Sequence, residues 1–600
     1  MRHSTQTGFY SGIVWAIVIG MIMTMMAAAM LVSESQEALA ASNVILTGTI
    51  ELEGRNDSSS ALITAGTYQL QPNPDGTFEM HLEVDNGYSM HIDAPGYLSA
   101  KAEAVVQSDA TLEMGHITLL GGDATGDDVI DIRDLALIAG FYHTSEPQAD
   151  INGDALVNII DLVMTANNYR RRGPTIISLD DPLRQMITEA GITPLEREPE
   201  PDGAKVALGR ALFFDKIMSG NHDVACSTCH LPLQHTSDGL SMSIGVGGLD
   251  GVGPQRRNGP DRILHPRNSP DLFNRGRPEL ATMFWDIRIN GSKGGFNSPA
   301  GEMLPGDDLD SILAVLAMFP VTARDEMRGM PADFEKFDNE LALIEDEDFI
   351  GIWDALMDRL LANDAYVALF NQAYPDLSTD ELGFQHAANG IAAFIIKAFT
   401  FTNTPWDRYV AGEENALSDE AKQGALLFFG KASCNRCHTG NLFTDQLTHN
   451  LAMPQVGPGN NKEQPGIDLG RAGETGNSED SYAFRTPMLR NVALTGPWTH
   501  AGAYTRLEAV VRHHLNPEQA LRSYDASQLR ADLQDSFQND ESYINAQVAH
   551  LDPLVATPIE LSEREMEQLR AFLQALTDPA AVNLTNVVPQ SVPSGLPIDK

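Results

Sequence analysis

Apolar and polar positions fall into four regimes along the chain. Ile13 to Val32 form one apolar run, about as long as the 20 residues a membrane-spanning helix needs and long for the apolar part of a secretory leader. Arg2 precedes the run, and Ala38-Leu39-Ala40 offers small residues for cleavage. Residues 1–40 therefore read as a signal peptide, with a membrane anchor as the alternative. From 43 to 120 the period shortens to two. Val44–Ile50, Thr67–Leu70 and Thr77–Leu82 read as strands, with Asn73-Pro74-Asp75-Gly76 as a turn between them, and together they predict a small β-sandwich. Residues 121–172 set acidic positions ahead of two apolar helical stretches, Leu135–Tyr142 and Leu162–Tyr169. From 180 to 578 the spacing is mainly helical. Ala387–Phe401 is apolar and too short for a membrane span, hence a core helix. Leu561–Thr577 sets Leu561, Met566, Leu569, Phe572, Leu573 and Leu576 along one face, and Ser562 with Glu565 makes a capping box at its start. Residues 579–600 contain prolines and are expected to form a loose tail.

All four cysteines fall in two motifs, Cys226-Ser227-Thr228-Cys229-His230 and Cys434-Asn435-Arg436-Cys437-His438. Both read C-x-x-C-H, the pattern that attaches c-type haem: two thiols form thioethers with the porphyrin, and the adjoining histidine binds the iron. The competing reading, a four-cysteine zinc site, needs the two halves brought together and leaves both histidines without a role. With the cysteines so committed, no disulfide framework remains. Either reading of the N-terminus, like the haem attachment, places the chain outside the cytoplasm: periplasmic, at the cell surface or extracellular. The formal net charge is −42, and the one notable basic cluster is Arg170 to Arg172. That balance argues against nucleic acid and favours basic partners.

Residues 121–172 carry a repeated calcium-loop scheme. Asp123, Asp127, Asp131 and Asp134 occupy positions 1, 5, 9 and 12, and Asp150, Asn152, Asp154, Asn158 and Asp161 occupy 1, 3, 5, 9 and 12 of a second loop. Alternate side chains of such a loop converge on one ion that takes six to eight oxygens. The duplication resembles a dockerin module, which implies calcium and a cohesin-like partner. It departs from that pattern at position 6, where Asp128 and Ala155 replace glycine, and at position 3, where Thr125 stands. An alanine held at positive φ costs roughly 1–2 kcal/mol. The preceding strands, with Ala94-Pro95-Gly96-Tyr97-Leu98, resemble the carboxypeptidase regulatory-like domain, which implies no catalytic role.

The region around the two motifs resembles a known family. Leu208–Asp215 leads into the first motif; Arg267-Asn268-Ser269-Pro270, Phe284-Trp285-Asp286-Ile287-Arg288 and Gly301-Glu302-Met303 follow it; Phe484–Val492 and Leu494–Gly502 follow the second. Together, over about 180–578, they resemble the bacterial di-haem cytochrome c peroxidases and the related MauG-type enzymes. The resemblance implies a peroxidatic haem on His230 in residues 180–410 and an electron-transfer haem on His438 in residues 411–578. It implies Glu302 as the catalytic glutamate, Trp285 as an electron relay between the haems, and Asn268, Thr495 and Pro497 as ligands of an inter-haem calcium. Some members carry a distal histidine sixteen residues after His230; here that position is Val246, which cannot bind iron and predicts an open site. His235 and His265 nearby read as ordinary loop histidines. The second haem's far ligand, a methionine or tyrosine in relatives, falls on His514, with His513 as the rival. An imidazole there lowers the potential relative to a thioether, which leads to the expectation that the resting ferric protein reacts with peroxide without prior reduction.

The expected whole is a multidomain chain: a small β-sandwich (43–120), a dockerin-like calcium-binding helical module (121–172), then a mainly α two-domain di-haem cytochrome c region. Its implied activity is reduction of hydrogen peroxide to water with electrons from a small cytochrome c or cupredoxin. A MauG-like oxidase that modifies a protein residue and a non-enzymatic electron-transfer cytochrome are the alternatives. Related enzymes are commonly homodimers.

Overall fold

The computed structural model describes residues 43–83, 88–104, 111–177, 180–292 and 295–599. The apolar run 13–32 and Ala38-Leu39-Ala40 lie outside them. No helix among the described residues is long and apolar enough to cross a membrane. The chain divides into two compact units, with the boundary between residues 178 and 179.

In the first unit, strand β1 (Asn43–Leu52) buries Leu46, Ile50 and Leu52 on one face, the period of two legible in its sequence. It pairs antiparallel with β4 (Thr77–Glu83) and parallel with β8 (Thr111–Leu119). A five-stranded sheet sets side by side, in this order, Thr175–Ile177, Ala100–Ala104, Tyr88–Asp93, Leu62–Ala65 and Tyr68–Leu70. Its edge strand, β10 (Thr175–Ile177), follows the two acidic loops and helices, and returns to lie parallel to β7 (Ala100–Ala104). Arg55 donates to the Ile151 carbonyl at 2.8 Å, Tyr97 to the same carbonyl at 2.9 Å, and Asn168 to Gly121 at 2.9 Å. Strands and loop–helix repeats, expected as separate domains, thus share one unit.

The loop–helix repeats form as their spacing predicts. Asp131 and Asn158 cap the helices Ile132–Gly140 and Ile159–Asn167, and Asp134 and Asp161, both fully buried, reciprocate in capping boxes. Asp128 and Ala155 adopt φ of 62° and 68°, the left-handed conformation that glycine would take at position 6.

The second unit repeats one device. The helix Gly203–Phe214, N-capped by Asp202, packs on Phe384–Phe399. A Cβ on Gly209 would lie 1.7 Å from the Gly390 carbonyl oxygen, so the crossing requires glycine there. The helix Asp419–Phe429 packs in the same way on Glu563–Ala575, and a Cβ on Gly424 would lie 1.9 Å from the Gln568 oxygen. Each Gly-bearing helix ends in a phenylalanine pair, Phe213-Phe214 or Phe428-Phe429, that enters an aromatic cluster. Each leads into a C-x-x-C-H turn. Ser562 and Glu565 form the expected capping box.

Two expectations are corrected. Thr282–Met283, Ile289–Ser292 and Gly295–Asn297, within the region read as mainly helical, pair as a small antiparallel sheet; these strands are too short for a period to register. Residues 579–599 are not loose. Ala581, Leu584 and Val592 join the core that holds the first motif, and Asp599 pairs with Lys216 at 2.6 Å and accepts from Thr228 at 2.5 Å. The prolines bend this segment along the surface of the core rather than freeing it.

Candidate haem sites

Each motif opens onto its own cavity. The first, about 700 Å³, is lined by Cys226, Cys229 and His230, with Phe213, Leu313, Val321, Glu326 and Ile391 among its walls. The second, about 1750 Å³ with its open mouth, is lined by Cys434, Cys437, His438 and His514. The cysteines divide two and two, so the four-cysteine zinc reading fails.

The imidazoles are set as iron ligands require. His230 donates from Nδ1 to the Thr236 carbonyl at 3.1 Å, and Ser269 Oγ, which donates to the Cys229 carbonyl, lies 3.2 Å from the same nitrogen. His438 donates from Nδ1 to Phe443 at 2.9 Å. Tying Nδ1 to a carbonyl fixes the tautomer and leaves Nε2 for a metal. Burial lowers the pKa of His230, and burial followed by the charge of His514 lowers that of His438 to about 4. Both rings are thereby held neutral, the form that binds metal.

His514 donates from Nδ1 to Val510 at 2.8 Å, and its ring centre lies 6.4 Å from that of His438. Two imidazole nitrogens at about 2 Å from one metal separate their ring centres by roughly 6 Å, so the pair fits a haem iron between them. The neighbouring His513 is fully buried, with Nδ1 bonded to the Tyr504 hydroxyl and Nε2 to the Leu451 carbonyl, both at 2.7 Å. Both nitrogens of His513 are thus occupied, and the residue does not line the cavity.

Further features of the second cavity fit a large polar-edged group. His500 is buried and stacked on Phe484 with ring centres 3.6 Å apart, and neither ring nitrogen has a partner; Arg485 Nη1 is likewise buried and unpartnered. Both residues line the cavity. Their orphan donors match the carboxylates a haem carries at its edge. Trp285, Asn268, Thr495 and Pro497 share that wall. Trp285 Nε1 donates to the Asn268 carbonyl at 3.2 Å, and the Asn268 amide donates to the His500 carbonyl at 2.7 Å.

Other sequence candidates stand apart. Glu302 lies exposed on a single 3-10 turn, Gly301–Met303, and lines neither cavity. Val246 is buried in the core beside the first motif. His235 lines neither cavity, and its Nε2 donates to the Val582 carbonyl at 3.3 Å. His265 is no simple loop histidine: its Nε2 pairs with Glu326 at 2.9 Å. No local spacing in the sequence marks either His500 or Glu326 as a cavity residue. His449, held between Asp445 and Asp552 at 2.8 and 2.6 Å, also lines the second cavity, and one of its ring nitrogens lies within 4.8 Å of Cys437 Sγ and an Asp445 carboxylate oxygen.

In the first unit, Asp123 accepts from the amides of Gly126, Asp127 and Asp128, and Asp134 from those of Thr125 and Asp131. Asp127 and Asp131 both pair with Arg133. In the second loop Asp150 accepts from Ala155, Asp161 accepts from Asn152 and Asn158, and Asp154 accepts from the side chains of Asn152 and Asn158. Asp150 Oδ1 is buried without a partner.

A family profile described as di-haem cytochrome c peroxidase matches residues 203–415. The methylamine utilization protein MauG of Methylorubrum extorquens is 30% identical over 384 residues, covering 63% of this chain and 80% of that protein. The cytochrome c551 peroxidase of Pseudomonas aeruginosa is 27% identical over 340 residues, 56% of this chain and 76% of its own. Among solved structures, a MauG-like protein associated with microbial copper homeostasis is similar at 24% identity and TM-score 0.46, over 66% of this chain and 97% of its own. With two C-x-x-C-H cavities and a relative of this identity and coverage, the chain belongs to the di-haem cytochrome c peroxidase and MauG family.

Proposed function

We propose that the protein is an exported di-haem peroxidase that reduces hydrogen peroxide to water with electrons from a small cytochrome c or cupredoxin. One observation carries the reading: in the cavity of His438 the ring of His514 faces that of His438 at 6.4 Å, whereas His230 is the sole imidazole lining the other cavity among the described residues. His438 and His514 would together hold the haem of one site for electron transfer, and His230 alone would hold the other, where substrate would react. When bound, the two c-type haems supply the electron storage and the Lewis-acidic iron that peroxide chemistry needs.

The chain's own residues then have distinct tasks. Cys226, Cys229 and His230 would hold one haem; Cys434, Cys437, His438 and His514 would hold the other. Trp285, on the wall of the larger cavity, is placed to relay electrons. Asn268, Thr495 and Pro497, on the same wall, offer oxygens for an inter-haem calcium. A proton-transfer group must stand beside the peroxide, and the exposed Glu302 does not do so in this conformation. Calcium in the acidic loops is supported by the converging carboxylates and the orphan Asp150 Oδ1; a cohesin-like partner rests on the dockerin resemblance, and a homodimer on the family's habit. Residues 1–40, as leader or anchor, and the haem attachment both support export.

A second reading, an oxidase that modifies a residue of another protein, is favoured by the imidazole in place of a thioether at the second site. A non-enzymatic electron-transfer cytochrome is the third. The test is the ferric protein's absorption and EPR, followed by one equivalent of hydrogen peroxide without reductant. One high-spin and one low-spin haem with immediate reaction supports the open-site reading, and donor oxidation assays then separate peroxidase from oxidase. Two low-spin haems, inert to peroxide before and after partial reduction, would leave the electron carrier.

A further inference from the structure

We propose that Tyr504, hydrogen-bonded to His513, is a redox-active tyrosine that carries oxidising equivalents from the second haem region to the surface at Tyr524, where a phenol in solution resupplies the electron. The proposal rests on the peroxidase reading, which provides peroxide as the oxidant, and adds to it a second route for electrons. Tyr504 lies one layer behind the wall of the second cavity. Its main chain pairs with that of Trp498, which lines the cavity. Its hydroxyl meets His513, the neighbour of His514 on the helix Leu507–Leu515.

The hydrogen bond has the polarity that proton-coupled oxidation needs. His513 is fully buried, and its Nε2 faces the Leu451 carbonyl at 2.7 Å. A carbonyl only accepts, so a ring proton sits on Nε2. The two hydrogen-bond partners of the ring are uncharged, and burial without a counter-charge favours the neutral imidazole, whose other nitrogen accepts. The Tyr504 hydroxyl therefore donates to Nδ1, at 2.7 Å. A phenol that loses an electron becomes a strong acid. Here its proton has a base already in contact, so electron and proton leave together and no charged ring is stranded among apolar groups.

The surroundings serve the same end. Tyr504 is buried in a cluster with Met242, Val456, Leu529 and Leu533, which keeps water from the ring. The Tyr524 ring meets it edge-on, with centres 5.4 Å apart and planes at 90°. Tyr524 is half-buried and so borders solvent, and its hydroxyl donates to the Ala503 carbonyl at 2.5 Å. Tyr409, in the core behind the second motif, is set differently. Arg184 and Lys422 stand over its ring at 5.0 and 5.6 Å, and a cation on an aromatic face opposes removal of an electron. Among the described residues neither Tyr504 nor Tyr524 has a cation over its ring.

Each peroxide supplies two oxidising equivalents. For each, Tyr504 gives one electron toward the second cavity and its hydroxyl proton to His513. Tyr524 then refills Tyr504 with an electron as His513 returns the proton. Tyr524 exchanges its own proton with solvent and is refilled by the phenol, whose proton also enters solvent and balances the protons that peroxide reduction takes up. The sum is H2O2 + 2 ArOH → 2 H2O + 2 ArO•, with peroxide reduced and the phenol oxidised.

The test uses the full-length holoprotein, frozen soon after addition of hydrogen peroxide without reductant, and reads EPR for an organic radical. The wild type should show a tyrosyl signal that narrows in protein made with ring-deuterated tyrosine. Tyr504→Phe keeps the ring, removes the hydroxyl and should lose that signal with both haems loaded. His513→Gln can still accept from Tyr504 but is no base, and should slow appearance of the radical about 10²-fold. If His513→Gln loads haem poorly, Tyr504→Phe carries the comparison. Added guaiacol should quench the wild-type signal, and the signal should outlast guaiacol in Tyr524→Phe; equal quenching there would overturn the outlet. A tyrosyl signal of wild-type size in Tyr504→Phe, or no radical in a wild type whose absorption responds to peroxide, would overturn the proposal. A wild type whose absorption ignores peroxide would refute the peroxidase reading instead. Flash-generated ruthenium(III) tris-bipyridine then replaces peroxide as oxidant: a tyrosyl signal lost in Tyr504→Phe supports the pair, and one that persists overturns it.

Discussion

The rings of His438 and His514 face each other across the second cavity at 6.4 Å, while His513, one residue earlier on the same helix, is bonded to the Tyr504 hydroxyl and the Leu451 carbonyl. Successive residues on a helix point about 100° apart, so the two histidines cannot share a target.

His514→Ala should convert the low-spin EPR signal of the second ferric haem to high-spin. His513→Ala should leave that signal intact and destabilise the protein by about 1–3 kcal/mol, the cost of stranding a buried hydroxyl and carbonyl. Denaturant unfolding alongside EPR separates these effects; loss of the low-spin signal in His513→Ala alone would reverse the ligand assignment.

Arg267 joins the sequence before Trp285 to the loop after the second motif. It donates to Asp468 at 2.6 and 2.9 Å and to Asp286 at 2.5 Å, and all three side chains are buried. Arg267→Ala leaves Asp468 buried without its guanidinium, and a loss of about 3–5 kcal/mol is expected. Burial alone would raise both carboxylates, but the charge of Arg267 holds them below 3.8. Depressed carboxylates stabilise the fold above their unfolded pKa and lose that contribution as pH falls through the folded value. The wild-type network should therefore persist through mild acid and fail only below about pH 4, whereas Arg267→Ala should lose stability already at higher pH. Urea unfolding at stepped pH measures both.

The segment 579–599 is an integral part of the first core. Deleting residues 579–600 should bare Leu208-containing core surface and lower the unfolding midpoint, with the first haem's absorption perturbed more than the second's. The milder Asp599→Asn, which removes the charge facing Lys216, should cost about 1–3 kcal/mol. Equal perturbation of both haem spectra by the deletion would count against this placement.

Ala155 and Asp128 occupy equivalent positions but should respond in opposite ways to glycine. Ala155→Gly relieves a left-handed φ and should stabilise the first unit by about 1 kcal/mol. Asp128 also accepts from the Ser99 amide and hydroxyl, both at 2.8 Å, so Asp128→Gly should destabilise. Calcium should raise the same unit's melting temperature in the wild type and fail to do so in Asp161→Ala. Thermal unfolding of the full chain with and without chelator tests all three.

Much of the haem architecture was legible because thioether chemistry fixes its residues. C-x-x-C-H admits few other readings, and the His513–His514 doublet narrowed the far ligand to two adjacent positions. What the sequence concealed was the structural repeat beneath the motifs. Gly209-Arg210-Ala211-Leu212-Phe213-Phe214 and Gly424-Ala425-Leu426-Leu427-Phe428-Phe429 share a glycine followed by paired phenylalanines. That similarity acquires meaning only when each glycine is seen against a partner helix. Glu326 was hidden for a different reason: its proximity to His230 comes from a loop closing over many intervening residues, which no local spacing records. The short strands of 282–297 likewise follow from tertiary pairing rather than from period.

Thr228 lies inside the first haem motif, and the carboxylate that grips its hydroxyl is 371 residues downstream. Thioether formation needs Cys226 and Cys229 reachable, yet that grip can close only after the whole second haem region has been made. Assembly thus acquires an order. The contact that closes over the first motif therefore cannot form until residue 599 has been made.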